Sequence, residues 1–428
     1  MPTRSELLLH LSFLVLFGVV AAVPPASARH AQALHRFDGS KGMFPYFGNL
    51  IVDAAGNLYG TTYYGGNGGG HCGYGCGVAF KLTRESNGGW VETVLHEFQD
   101  DSQDGYWPAA GLTLDAAGNL YGTTTEGGYW GFGIAFMLTP QSDGTYSETV
   151  IHSFCSVYDC ADGEWPYSGL VFDAAGNLYG TTFQGGANTV SGTAFRLSPG
   201  EGGNWTDTVL FSFNDDGGPY GSGLILDKAG NVYGTTSSWY GGCSFGGSVF
   251  ELKPNASDQW IESVLHTFQN NGKDGYCPTA SLIFDPEGNL YGTTSYGGTH
   301  DAGTVFELIP GKDNQWTEKI LHSFNINDGA QPFGSLTRDA AGSLYGTLAY
   351  GGKYGLGSVF KLTPTKLGKG RGSVSEEILL NLRGKDGISP FSGVVIGPTG
   401  HFYGTTYYGG NLSDCDYTGC GTVFEITP

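Results

Sequence analysis

The sequence predicts an all-β chain folded as a seven-bladed β-propeller, four antiparallel strands per blade, with the ring closed by the N-terminal strand pairing in the last blade. Three observations predict it. A short motif recurs seven times, four strand candidates follow one another in fixed order within each repeat, and the last repeat lacks a fourth strand that the chain start can supply.

The motif is Tyr-Gly-Thr-Thr, beginning at Tyr59, Tyr121, Tyr179, Tyr233, Tyr291 and Tyr403, with Tyr345-Gly346-Thr347-Leu348 as its sixth version. Successive copies stand 54 to 62 residues apart, a little more than a common four-stranded blade needs, so the surplus is assigned to loops. Among 428 residues there are 74 Gly, 25 Tyr and 26 Phe but only 14% charged residues, which favours short strands and tight turns over helices.

The second repeat shows the strands: a (Leu112 to Asp115), b (Asn119 to Thr124), c (Ile134 to Leu138) and d (Thr149 to Phe154). Strands a and b are joined by Asp-Ala-Ala-Gly-Asn, where Asp115 can bond the backbone ahead and Gly118 can take positive φ. Strand c alternates, with Thr304, Phe306 and Leu308 on one face and Val305 and Glu307 on the other. Strand d reads Val-Leu-His-x-Phe at Val94 to Phe98 and Val264 to Phe268. The seventh repeat stops after strand c, at Gly421 to Thr427, while Ala33-Leu34-His35-Arg36-Phe37 matches strand d and precedes the first strand a. Pairing the two leaves no open edge; a linear solenoid, the competing architecture, would not need it.

Residues 1–28 read as a secretory signal, with Arg4 in a basic n-region, an apolar run from Leu7 to Val23 and Ala26-Ser27-Ala28 before the cut. An uncleaved anchor is the alternative, but the run is short and Pro24-Pro25 ends it. Residues 29–428 are expected to form one propeller, with the closing strand at 33–37 and repeats at 48–98, 111–154, 169–213, 223–268, 281–324, 335–382 and 393–428. The net charge of −20 argues against nucleic acid and anionic membrane surfaces as partners. No membrane insertion is expected after signal cleavage.

The string Asp-x-x-Gly-Asn-Leu-Tyr-Gly-Thr-Thr, followed by Gly-Gly and Gly-Thr-Val-Phe, resembles the GloVer tandem repeat proteins, also called choice-of-anchor proteins, from about Leu34 to the end. The resemblance implies no established activity. Members often carry a C-terminal sorting anchor after the repeats. Here Thr427-Pro428 directly follows strand c, which sets the expectation of free secretion or periplasmic residence.

In a four-stranded meander the b–c and d–a loops leave on one face of the disc and the a–b and c–d turns on the other. All eight cysteines fall on the first face. An even count in an exported chain favours disulfides, assigned as Cys72–Cys76, Cys155–Cys160, Cys243–Cys277 and Cys415–Cys420. Zinc held by Cys72, Cys76, Cys415 and Cys420 is the less favoured reading.

Aromatics crowd the same face, among them Tyr63, Tyr106, Tyr129, Tyr296 and Tyr407. Tyr64, Trp107, Trp130, Trp165, Trp239, Tyr240, Tyr276 and Tyr408 are the candidate ligand-binding set, a platform suited to stacking on sugars. The plain alternative is that these rings fill gaps between blades. Asp-Gly pairs at Asp38, Asp104, Asp162, Asp216, Asp274, Asp328 and Asp386 offer Ca²⁺ sites blade by blade, though turn chemistry is the favoured account. No cofactor is otherwise expected. His35, His96, His152, His266 and His322 share one position on strand d, where Phe211 and Leu380 replace two others; they read as interblade hydrogen-bonding residues.

A glycosidase needs two carboxylates at a defined separation, and no pair stands out. Glu126 and Glu164 are the candidates because the other repeats lack counterparts. Serine-hydrolase, phosphate-loop and zinc-protease motifs are absent from the sequence. A basic insertion, Lys366 to Arg371, reads as a solvated loop, with docking as the alternative. The reading carried forward is a secreted, monomeric, non-catalytic recognition or scaffold propeller whose partner is a glycan or a cell-surface protein. An extracellular polysaccharide hydrolase or lyase and a structural envelope protein are the alternatives.

Overall fold

The computed structural model describes residues 30–67, 71–187, 191–214, 217–237, 246–257, 259–365 and 373–427. Within them, seven four-stranded antiparallel sheets each run a-b-c-d, and the architecture is the seven-bladed propeller.

Each a–b hairpin is built on its aspartate. Asp53 Oδ1 accepts the backbone N–H groups of Ala55 and Asn57, while Oδ2 accepts from Asn57 Nδ2 and the Tyr59 hydroxyl. The same four bonds recur around Asp115 and Asp173. One carboxylate thus closes the turn and holds the tyrosine that opens strand b.

The rest of the motif joins neighbouring blades. The first threonine of blades one, two and six (Thr61, Thr123, Thr347) donates to a carbonyl of the next blade, at Ala110, Ser168 and Ser392, over 2.7, 2.8 and 2.7 Å. The second threonine (Thr62, Thr124, Thr406) bonds the carbonyl two residues on and holds the start of the b–c loop. The glycine exists for close approach. A Cβ on Gly122 would stand 2.6 Å from the ring of Phe136, and one on Gly180 2.5 Å from that of Phe195.

Those phenylalanines are the centre of each interface between blades. Phe98, ending strand d of blade one, meets Phe136 on strand c of blade two edge-on at 5.1 Å, and Phe154 meets Phe195 at 5.0 Å. Strand d of blade two, Tyr146–Ser153, starts earlier than the sequence suggests, and the pairing shifts by one residue between Ala135 and Phe136. That bulge turns Ile151 inward, 8% exposed, against Leu170 and Leu178 of the next blade. Strand c is buried on both faces, because each blade is covered by two neighbours.

The N-terminal strand, His30–Arg36, pairs with the last strand c, Thr422–Thr427, and begins three residues before the predicted start. It behaves as a regular strand d. The pairing slips between Ala33 and His35 as in the other blades, and the Phe37 N–H bonds the Gly421 carbonyl at 3.1 Å as Phe98 N–H bonds Gly77. Strand a is shorter than expected, two residues in blade two (Thr113–Leu114), and lines the axis. A ladder that the sequence did not suggest, Gly105–Tyr106 with Glu126–Gly127, ties a d–a loop to a b–c loop and places both on one face. No helix among the described residues is long and apolar enough to cross a membrane.

Two outcomes test these assignments. Starting the chain at Asp38 exposes strand c of blade seven as an edge and is expected to give oligomers and a lower Tm, read by light scattering and calorimetry. Asp173→Ala removes the acceptor of four bonds and is expected to cost about 1–3 kcal/mol by urea unfolding. Against burial, which acts the other way, hydrogen bonds from Asn177, Ala175 and Tyr179 hold the Asp173 carboxyl below its ordinary 3.8. Its stabilisation is therefore complete above that pH and lost as pH falls through the lowered native value, so the deficit of the variant should shrink in acid.

Candidate ligand-binding site at the aromatic mouth

Entry to each blade passes through a proline, and the residue before it sets the face of the disc. Phe44, Trp107, Trp165, Cys277, Gln331 and Ser389 all precede proline and all have φ between 53° and 63°. Left-handed backbone costs a non-glycine residue roughly 1–2 kcal/mol, so something must hold it. Each of these residues bridges two blades. Trp107 N–H bonds Cys76 O of blade one at 2.9 Å while its carbonyl accepts from Thr125 of blade two at 3.2 Å, and Phe44 does the same between Cys420 and Tyr63. These six bridges turn the Phe44, Trp107 and Trp165 side chains onto the loop face.

The residue after the proline points at the axis. Tyr46, Tyr167, Tyr220, Phe333 and Phe391 occupy this position, with Phe47 beside them, and they pack ring against ring: Phe47 to Tyr220 at 6.0 Å, Phe47 to Phe391 at 6.2 Å, Phe333 to Phe391 at 5.5 Å. The b–c residues Tyr63, Phe183 and Tyr407 join them. The Tyr46 and Tyr220 hydroxyls hydrogen-bond each other, and burial, followed by the neighbouring phenols, holds both well above the ordinary tyrosine range. A plug of aromatic rings therefore spans the channel mouth. Beneath it lies a cavity of about 270 Å³ lined by small residues that lead into strand a, including Gly111, Gly223, Ser281 and Ser335. Aligning the repeats on their prolines is the signal that would have found the plug.

Outside the plug, between blades seven and one, Met43, Phe44, Tyr64, Tyr74 and Tyr408 line a hollow of about 550 Å³ together with Cys415, Asp416 and Thr418. Phe44 is edge-on to Tyr64 at 6.2 Å and to Tyr408 at 5.3 Å, and Tyr64 is edge-on to Trp107 at 5.7 Å. The Trp107 indole nitrogen is buried without a hydrogen-bond partner. Disulfides Cys72–Cys76 and Cys415–Cys420 brace the two flanking loops, and Tyr74, 65% exposed, stands inside the first. Because these cysteines are oxidised, the zinc arrangement is not formed.

Of the candidate set, Tyr64, Trp107 and Tyr408 converge here. Trp130 stands apart, half exposed against Tyr129, and Trp165 lies near Phe132. Tyr276 stacks on Tyr296 at 5.6 Å and donates to Asp301; burial and that carboxylate push its phenol up to about 12. Trp239, Tyr240 and Cys243 lie outside the described residues, as do Asp216 and the Lys366 to Arg371 insertion. Cys277 is disulfide-bonded, and Cys155–Cys160 closes a d–a loop.

Glu126 accepts from the Tyr106 hydroxyl at 3.0 Å, and its charge also bears on Tyr64. Glu164 pairs across to Gln184 on the next blade, and burial raises its carboxyl. The two are not brought into one site by any described contact. The Asp-Gly aspartates act in turns: Asp104 is buried and accepts backbone N–H groups of Gln99 and Gly105. The same carboxylate takes His96 Nε2 at 2.9 Å, and Glu148 from blade two stands 3.7 Å from that nitrogen. Burial and the Asp104 charge push Glu148 well above the carboxylate range, and burial pushes Glu376 at the equivalent position up to about 7.

The family model of the Gloeobacter/Verrucomicrobia repeat matches at residues 16–161, 72–286, 147–339 and 241–428, and the chain belongs to that family. No curated protein sequence matches it. Similar solved structures include a luciferin-regenerating enzyme (12% identity, 94% of this chain and 95% of the other, TM-score 0.44). A putative oxidoreductase (glucose dehydrogenase) from Thermus thermophilus is 14% identical over 93% of this chain and all of the other, with TM-score 0.43. A Dyadobacter fermentans protein of unknown function is 10% identical over 93% and 98%, with TM-score 0.46. At these values none bears on activity or ligand.

Phe391→Ala tests the plug. The ring touches Tyr46, Phe47, Phe333, Tyr350 and Tyr407, so its loss is expected to cost about 2–3 kcal/mol in urea unfolding, less than a fully buried phenylalanine.

Proposed function

We propose that the protein is a secreted, non-catalytic recognition propeller that binds carbohydrate in the hollow between blades seven and one. The observation that carries this reading is the hollow itself: ring faces of Phe44, Tyr64, Tyr74 and Tyr408 on a disulfide-braced frame, with Asp416 and Thr418 at its edge. Pyranose rings present flat C–H faces that stack on aromatics and equatorial hydroxyls that need a few polar partners. Rigid walls lower the entropic cost of binding.

Three disulfides among the described residues, together with the N-terminal signal pattern, support an oxidising, extracytoplasmic setting. The plug confines a ligand to the face of the disc and denies it the channel. Catalysis gains no support from the carboxylates, since Glu126 is held by Tyr106 and no described contact brings Glu164 to it.

Titration of the untagged protein with neutral soluble polysaccharides and a glycan array tests the proposal. Saturable binding is expected for at least one neutral glycan, with losses of roughly 3- to 10-fold in Tyr64→Ala and Tyr74→Ala, matching about 0.5–1.5 kcal/mol per stacked ring. Absence of saturation at millimolar sugar, or release of shortened chains from the ligand, would sink it.

A further inference from the structure

The histidines of strand d, which the aromatic hollow does not use, belong to a second kind of site. Among the described residues three blade interfaces bring together one imidazole, the Asp-Gly aspartate of the same blade and a glutamate from strand d of the next: His96, Asp104 and Glu148; His266, Asp274 and Glu318; His322, Asp328 and Glu376. In each set the ligating atoms all lie within 4.8 Å of one another. We propose that each set holds a divalent transition-metal ion of the Zn²⁺ class, so that the metal cross-links adjacent blades.

At two of the three sets the distances favour an ion over direct hydrogen bonds; in the other, His96 Nε2 stands 2.9 Å from Asp104 Oδ2, a direct bond that a metal would replace, and 3.7 Å from Glu148 Oε2. His266 Nε2 stands 3.5 Å from Asp274 Oδ2 and 3.5 Å from Glu318 Oε1; His322 Nε2 stands 3.5 Å from Glu376 Oε1 and 4.0 Å from Asp328 Oδ2. Ligands about 2.0–2.1 Å from a tetrahedral zinc are roughly 3.3–3.5 Å from one another. The atoms are also orphans. His266 Nε2, Glu318 Oε1, Asp274 Oδ1, His322 Nε2 and Glu376 Oε1 are shielded from water without a hydrogen-bond partner, and the Asp274 side chain is only 10% exposed. Each unmet buried polar atom weakens the fold, a cost that an ion among them would offset. Supporting bonds orient the aspartates: Gln99 N–H holds Asp104 Oδ2 at 3.0 Å and Gln269 N–H holds Asp274 Oδ2 at 2.9 Å. One imidazole and two carboxylates suit Zn²⁺ and its neighbours, whereas Ca²⁺ and Mg²⁺ seek an all-oxygen shell of six or more.

The other interfaces of the same ring show what happens when a ligand is missing. At the sixth, Leu380 replaces the histidine and Ala31 replaces the acid, so both are lost together, and the two pack against one apolar cluster. At the second, Asp207 is one methylene shorter than glutamate, and His152 keeps only Asp162 at 3.4 Å. Between blades seven and one, Asp38 turns away to Ser40, leaving His35 with Glu92 at 3.2 Å. Phe211 takes the histidine position at the third.

The untagged full chain, stripped with EDTA, is titrated with ZnCl₂ by calorimetry and with Co²⁺ by visible absorption, with Ca²⁺ as control. Three Zn²⁺ per chain and a raised Tm are expected. The double variant His322→Leu with Glu376→Ala copies the Leu380 and Ala31 pair that this fold already tolerates; it should fold, bind two Zn²⁺ and show a smaller Tm rise. His266→Phe, copying Phe211, should likewise remove one ion. Failure of the wild-type chain to bind Zn²⁺ saturably, unchanged stoichiometry in both variants, or equal competition by Ca²⁺ overturns the proposal.

Discussion

Everything in this ring depends on one contact: the phenylalanine of strand c brings the tip of its ring over the glycine of strand b and meets the phenylalanine that follows the preceding strand d edge-on. A four-stranded sheet is too small to bury a core by itself, so each blade is stable only between two others. An end blade would leave such a face bare. That is why the chain must close, and why residues 30–37, remote in sequence, supply the last strand d with the same bulge and the same Phe37 bond.

Once the interfaces are filled by Phe, Leu and Tyr at repeated positions, the freedom left to the chain lies in the loops. The turn face is occupied by aspartate hairpins that have no slack, since both oxygens of Asp53, Asp115 and Asp173 are fully engaged. On the other face the pre-proline residues keep left-handed backbone at a cost, held by bonds to two blades at once. Strain maintained at six equivalent points buttresses a rigid rim, and that rim is where aromatic side chains can be presented without collapsing into the channel.

Much of the fold was legible because its devices are local. The Asp-x-x-Gly-Asn turn, the alternation of strand c and the Val-Leu-His-x-Phe match at Ala33 to Phe37 all declare themselves within ten residues. What escaped depends on pairs that lie far apart. The two-residue strand a follows from crowding at the axis, and the bulge at Ile151 from the apolar seam of the next blade. Tyr64, Trp107 and Tyr408 were picked out by loop membership, but their convergence depends on Phe44, whose direction is set by a backbone angle that composition does not reveal. The acid partners of the histidines were missed for a related reason. Glu148 lies 52 residues after His96, and only the stacking of blades brings the two together.

Seven copies on one ring also allow scaffold to be separated from function within a single chain. A position filled alike in nearly every repeat, such as the glycine beneath phenylalanine, answers a demand that every interface makes. A position that changes with its partner answers a pairwise demand, and the sixth interface, where Leu380 stands for the histidine and Ala31 for the acid, is of that kind: an apolar pair replaces a polar one and leaves no buried imidazole without its acid. The aromatic hollow obeys neither rule. Tyr74 and Cys72–Cys76 occur in one blade and Asp416 with Cys415–Cys420 in its neighbour, joined only because closure sets the first and last repeats side by side. The seam that completes the ring thus sets two disulfide-braced loops against each other, and the hollow between them follows from closure rather than from the repeat.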